Sequence, residues 1–154
     1  MAAYHLEQET LRDKAQTARN MYRFIDRYFH DLDTIKTSDG RPLSKLSLKE
    51  FFDLVRLIPY RQDNKPIEVI ARPKHILTFS GNGMDCKKKA ILISSYLKRN
   101  RIPYRLVGSS RKPSGKIHHV FPQAFIAGQW ENLDATYSNY RPFAVKRVTA
   151  WEVL

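Results

Sequence analysis

The chain contains one thiol, Cys86. It is followed by two imidazoles, His118 and His119, and then by the carboxylate Asp134. A cysteine, a histidine and an aspartate in that order form the minimum set for acyl transfer through a thiolate. The sulfur attacks a carbonyl carbon, the imidazole takes and returns a proton, and the carboxylate orients the ring. The thiol stands in Gly83-Met84-Asp85-Cys86-Lys87-Lys88-Lys89-Ala90. The histidines stand in His118-His119-Val120, and the aspartate in Trp130-Glu131-Asn132-Leu133-Asp134-Ala135-Thr136.

The thiolate is the reactive form of cysteine. A sulfur at the start of a helix meets unpaired backbone N–H groups and the positive end of the helix dipole. With an imidazole beside it, these are expected to draw the thiol pKa from ~8.5 to below neutrality. Lys87, Lys88 and Lys89 add positive potential, weakened by solvent where they are exposed.

The His–Asp geometry follows from counting. If Ala127-Gly128 is a two-residue turn, Ile126 pairs with Gln129 and cross-strand partners have numbers summing to 255. His119 then faces Thr136, and Asp134 lies diagonal to His119 on the same face, within reach of its ring. His118 has the opposite strand parity and is expected to point away.

Several elements must position these groups. Apolar residues recurring at three- and four-residue steps from Leu6 to Leu32 predict a helix over 6–32, followed by a loop from Asp33 to Pro42. Ser47-Leu48-Lys49-Glu50 is a capping box that should open a helix from Leu48 to about Leu57. Residues 60–80 read as extended and irregular, with Pro66 and Pro73 breaking any helix.

Cys86 to Arg99 reads as the central helix, ending at Asn100. Tyr104–Gly108 and His119–Ile126 read as strands, with Ser109–Lys116 a loop between them. Pro122 suggests an edge position or a bulge for the second strand. Gln129–Ala135 completes the hairpin, and Phe143–Val148 offers a last strand. Trp130 reads as a packing residue. His5, His30 and His75 read as ordinary surface or packing residues.

The 154 residues suit one domain, with 42% hydrophobic and 12% aromatic content. One cysteine excludes an intrachain disulfide and a structural zinc site built from several thiolates. No metal cluster, phosphate loop or nucleotide fingerprint is visible, so no cofactor is expected. There is no apolar run of membrane-spanning length and no signal-peptide pattern at the start, so a cytoplasmic location is expected.

The net charge is +12 and is unevenly spread. Residues 87–116 hold ten bases and no acid, which favours an anionic partner such as an acidic protein, a cell-wall polymer or nucleic acid.

The segment from Ile58 to Tyr137 resembles the transglutaminase-like superfamily of papain-like cysteine enzymes. That family shows a Gly-Asp-Cys turn opening a helix, then Gly-Ile-Pro-x-Arg, a His in a strand, and Trp-x-x-Leu-Asp-x-Thr. The counterparts here are Met84-Asp85-Cys86, Arg101-Ile102-Pro103-Tyr104-Arg105, His119-Val120-Phe121 and Trp130 to Thr136. Met84 replaces the usual glycine, lysines follow the cysteine, and Phe121 stands where Trp is common.

The resemblance implies an α+β fold in which a Cys-bearing helix packs on an antiparallel sheet carrying His and Asp. It implies a single domain over 1–154, with an N-terminal helical part (1–57) and a catalytic core (58–154). It assigns Cys86 as nucleophile, His119 as general base and acid, and Asp134 as orienting carboxylate. The expected activity is acyl transfer on peptide or protein amides through a thioester, by hydrolysis or by transamidation. Small members of the family occur in phages and bacteria. The competing expectation is a non-catalytic structural or binding protein, virion-associated or nucleic-acid-binding, that retains the fold.

Overall fold

The computed structural model describes residues 6–10, 14–62, 67–78, 80–136 and 148–154. The fold is α+β. In chain order the elements are β1 (Leu6–Thr10), α1 (Lys14–Tyr28), α2 (Asp31–Thr34), α3 (Leu48–Arg56), β2 (Ile67–Ala71), α4 (Pro73–Thr78) and α5 (Cys86–Arg99). They continue with β3 (Tyr104–Ser110), β4 (His119–Ile126), β5 (Gln129–Asn132) and β6 (Ala150–Val153). Helix α5 packs on β4, α1 and α3, and so forms the centre of the molecule.

The long N-terminal helix expected over 6–32 is not continuous. Residues 6–10 pair antiparallel with β2, Leu6 opposite Ala71 and Thr10 opposite Ile67. That partner lies some sixty residues away, so helical spacing could not announce it. The helix begins at Lys14, and α2 follows as a separate turn. The part before residue 58 is therefore not wholly helical, and one hydrophobic core spans both it and the remainder: Ile25, Phe51 and Val55 join Ile91, Leu97 and Leu106.

The second helix starts as its capping box dictates. The Glu50 amide donates to Ser47 Oγ at 3.1 Å, and the Ser47 amide donates to Glu50 Oε1 at 3.0 Å. Pro73 opens α4 instead of breaking a helix, because the first helical position needs no N–H and suits the fixed φ of proline.

Helix α5 is buried on most of its circumference, from Lys89 to Leu97. Tyr96 stacks on Phe51 and donates its hydroxyl to Leu46 O, which fastens α5 to the α3 region. At the far end Ile102 N–H donates to Leu97 O and Arg101 N–H to Lys98 O, with Arg101 at φ 59°. That is the double closure of a Schellman motif, and it stops the helix at Asn100.

The main sheet has strand order β5-β4-β3-β6, all antiparallel. The β4–β5 turn is Ala127-Gly128, both at positive φ (51° and 83°), and the register is Ile126 opposite Gln129 and Gln123 opposite Asn132. Strand β4 is interior, so Pro122 is not at an edge. Its carbonyl accepts from Leu133 N–H at 2.9 Å, so its nitrogen faces the side where β5 has already ended and the β3 ladder loses no donor. β3 runs to Ser110, two residues beyond the expected end. Of the strand expected at Phe143–Val148, residues 143–147 lie outside the described residues; the described strand there is β6.

Candidate active site

The segment before α5 is fixed from outside. Met84 N–H donates to Pro59 O at 2.9 Å, and Arg61 N–H donates to Met84 O at 3.0 Å. Gly83, at φ 92°, lies where a Cβ would stand 2.5 Å from Pro59 O, so this approach requires glycine. Asp85 is then the N-cap: its Oδ1 accepts from Lys88 N–H at 3.0 Å, and its Oδ2 pairs with Lys87 Nζ at 2.7 Å. Cys86 is the first residue of the helix, as its sequence context predicts.

Cys86 is 7% exposed and lines a cavity of about 120 Å³ together with His118, His119, Met21 and Leu154. A second hollow, sharing Ala18 and Leu154 with the first, continues between α1 and β6 past Arg19 and Glu152.

The imidazole and the carboxylate meet. His119 Nε2 lies 2.7 Å from Asp134 Oδ2, and Thr136 N–H donates to Asp134 Oδ1 at 3.1 Å. Both side chains are largely shielded, at 11% and 2% exposure. The Asp134 carboxylate is also near enough to the sulfur to act on its ionisation. Cys86, His119 and Asp134 are thus gathered at one place, by the start of α5, the start of β4 and the segment after β5.

The thiol itself departs from expectation. Burial pushes Cys86 up to about 12, and the Asp85 and Asp134 carboxylates push the same way. Hydrogen bonding from the Val120 and Cys86 backbone N–H groups pulls down but is outweighed. The expected lowering neglected two things that the fold supplies: desolvation of a sulfur that its neighbours cover, and an anionic N-cap one residue from it.

His118 lines the same cavity, but Arg111 N–H donates to its Nε2 at 3.0 Å and its own amide donates to Ser109 O. Partial burial, with Lys112 and Arg111 nearby, disfavours its charged form. It pins the β3–β4 loop and has no bond to Asp134 among those described.

Trp130 is not a core residue. It is 37% exposed, under the Arg105 guanidinium at 4.2 Å and against Phe125 at 5.3 Å. The basic segment is also less free than its composition suggests. Lys87 and Lys89 are engaged on the protein, Lys98 and Arg99 pair with Asp26 and Asp33, and Arg105 donates to Gln123. Arg111, Lys112 and Lys116 are exposed on the β3–β4 loop.

Sequence reading missed Lys89. The sequence gives it no role beyond its share in the positive potential of Lys87, Lys88 and Lys89, yet it is 2% exposed. Helical spacing carried a signal, because Lys89 shares a stripe with Cys86, Ile93 and Tyr96. Among the described residues, no three or more His, Cys, Asp or Glu are arranged to hold a metal ion, and no helix is long and apolar enough to cross a membrane. His5, Pro66 and Tyr137 lie outside the described residues.

No protein-family model matches the sequence, and no curated protein matches it. Among solved structures, the chain is similar to a candidate cysteine protease from Cytophaga hutchinsonii, with 16% identity and a TM-score of 0.44. The similarity covers 75% of this chain and 37% of that protein's length.

Proposed function

We propose that this chain is a cysteine-dependent amide acyltransferase of the transglutaminase-like kind, working on peptide or protein amides mainly by hydrolysis. The observation that carries the reading is that His119, held at 2.7 Å by Asp134, lines the same cavity as Cys86, which stands at a helix N-terminus.

In this reading the resting sulfur is a neutral thiol, so its proton leaves as it attacks and not before. His119 Nδ1, the nitrogen not bonded to Asp134, takes that proton while sulfur bonds to the carbonyl carbon. The imidazolium is held by Asp134 and returns the proton to the departing amine as the C–N bond breaks, leaving a Cys86 thioester. Water, losing its proton to His119, attacks the thioester. The acid is released and the thiol restored. In this reading the Cys86 N–H receives the oxyanion once the sulfur has attacked. An amine in place of water would give transamidation.

The test is a mass-spectrometric comparison of wild type, Cys86→Ala and His119→Ala on a proteome-derived peptide mixture, with and without cadaverine. Cleaved or deamidated amides with wild type alone support hydrolysis, and cadaverine adducts support transamidation. An unchanged mixture, together with a Cys86 that iodoacetamide alkylates no faster in wild type than in His119→Ala, sinks the enzyme reading.

A second reading, a non-catalytic binding domain, has one observation in its favour. The thiol is held neutral while Arg111, Lys112 and Lys116 stand exposed beside the cavity wall. It predicts a salt-sensitive nucleic-acid affinity that Cys86→Ala leaves unchanged.

A further inference from the structure

Lys89 is an ammonium buried in the middle of the molecule, one helical turn after Cys86. Its Nζ donates to Ile58 O at 2.5 Å, Ala135 O at 3.1 Å and Arg56 O at 3.4 Å. An ammonium has three N–H donors, so its hydrogen-bonding capacity is fully used. Burying a charge costs several kcal/mol, and a well-packed apolar side chain often serves stability as well or better. A general stabilising role is therefore a poor account of this residue.

The acceptors suggest a more specific one. One of them, Arg56 O, belongs to the C-terminal end of α3, where the helix dipole is negative and the last carbonyls lack intrahelical donors, and Ile58 O lies two residues beyond that end. The third is the carbonyl next to Asp134. One side chain thus ties the helix carrying the sulfur to the end of α3 and to the segment carrying the carboxylate. With Asp134 Oδ2 on His119 and Oδ1 on Thr136, the turn 134–136 is held at three points.

We propose that Lys89 is a positioning residue that sets Asp134 against His119 and supplies the positive charge facing that carboxylate. As a function of the site, this rests on the reading of Cys86, His119 and Asp134 as reacting groups. The placement itself is testable without that reading. Asp134 does act on the Lys89 ammonium, favouring its charged form against the effect of burial.

The test uses full-length protein labelled with ¹⁵N-histidine, and follows the His119 Nε2–H proton signal by NMR. Wild type should give a downfield, exchange-protected signal from the bond to Asp134. Lys89→Met should move that signal upfield or lose it to exchange. Lys89→Gln keeps two donors and the fold, and should give an intermediate result. Asp31→Ala, remote from the site, should leave the signal in place despite its loss of stability. Cys86 alkylation by iodoacetamide should fall about tenfold or more in Lys89→Met, as misplacement of a reacting group would cause.

Folded Lys89 variants that keep the signal's position and protection overturn the inference. An unchanged peptide mixture, together with a wild-type thiol that alkylates no faster than in His119→Ala, defeats the acyl-transfer reading instead, and the imidazole signal then decides the positioning claim alone.

Discussion

His119 and Asp134, fifteen residues apart, are joined by a 2.7 Å contact from Nε2 to Oδ2 at the open end of the β4–β5 hairpin. The hairpin register brings them together, and the Thr136 amide orients the carboxylate. Asp134→Asn keeps the shape but removes the charge that would balance an imidazolium. Turnover of any amide found in the peptide screen should fall by roughly a hundredfold or more. Measured kcat on that amide checks it, and an unchanged kcat would place Asp134 outside the chemistry.

Asp85 caps α5 and adds to burial in favouring the neutral form of its neighbour's thiol. Asparagine caps a helix as well as aspartate does, so Asp85→Asn should fold normally. Without the anion, ionisation of Cys86 becomes easier. Its iodoacetamide alkylation at pH 8 should rise about threefold to tenfold. A fall in the rate would show that the Lys87–Asp85 pair helps the sulfur react.

The raised thiol pKa also links stability to pH. The folded value is about 12, against ~8.5 in the unfolded chain. Between those values the unfolded chain has lost the proton and the native chain has kept it. Wild type should therefore lose stability relative to Cys86→Ala as pH rises above about 8.5, by roughly 1.4 kcal/mol per unit. Lys89, lowered to about 8 by burial, acts in the opposite sense, with stability rising from pH 8 towards its ordinary range. That contribution is common to both proteins and cancels in the difference. Guanidinium melts of the pair at pH 8, 9 and 10 measure it, and parallel pH dependence would mean that the sulfur is open to solvent.

Far from the site, Asp31 accepts from Arg72 Nε at 2.8 Å and Nη2 at 2.5 Å, and from Lys74 N–H at 3.0 Å. Arg72 also lies over Tyr28 at 4.4 Å. Asp31→Ala leaves this guanidinium without its carboxylate and should cost about 2–4 kcal/mol. That is less than for a sealed pair, because Arg72 keeps 23% exposure. Denaturant midpoints check the cost, and Cys86 alkylation should not change.

The local parts of this protein were legible in its sequence. Helix α5 begins at Cys86 and ends at Arg99, the Ser47–Glu50 box opens α3, and Ala127-Gly128 sets the β4–β5 register. Each depends on contacts within a few residues, where capping hydrogen bonds and turn dihedrals are dictated by the side chains present. The same register placed the His119 and Asp134 side chains within reach of each other.

What required tertiary structure depends on distant segments. Residues 6–10 became a strand because β2 offered a partner, and Pro122 fits an interior strand because β5 stops beside it. Lys89 is buried because carbonyls from α3 and from the Asp134 turn converge on it. The thiol is neutral because residues of α1, β4 and Leu154 gather around a largely buried sulfur whose N-cap is an anion. Desolvation is a property of the assembled surroundings, so the chain order of Cys86, His119 and Asp134 could indicate which groups meet, but not the charge on the sulfur.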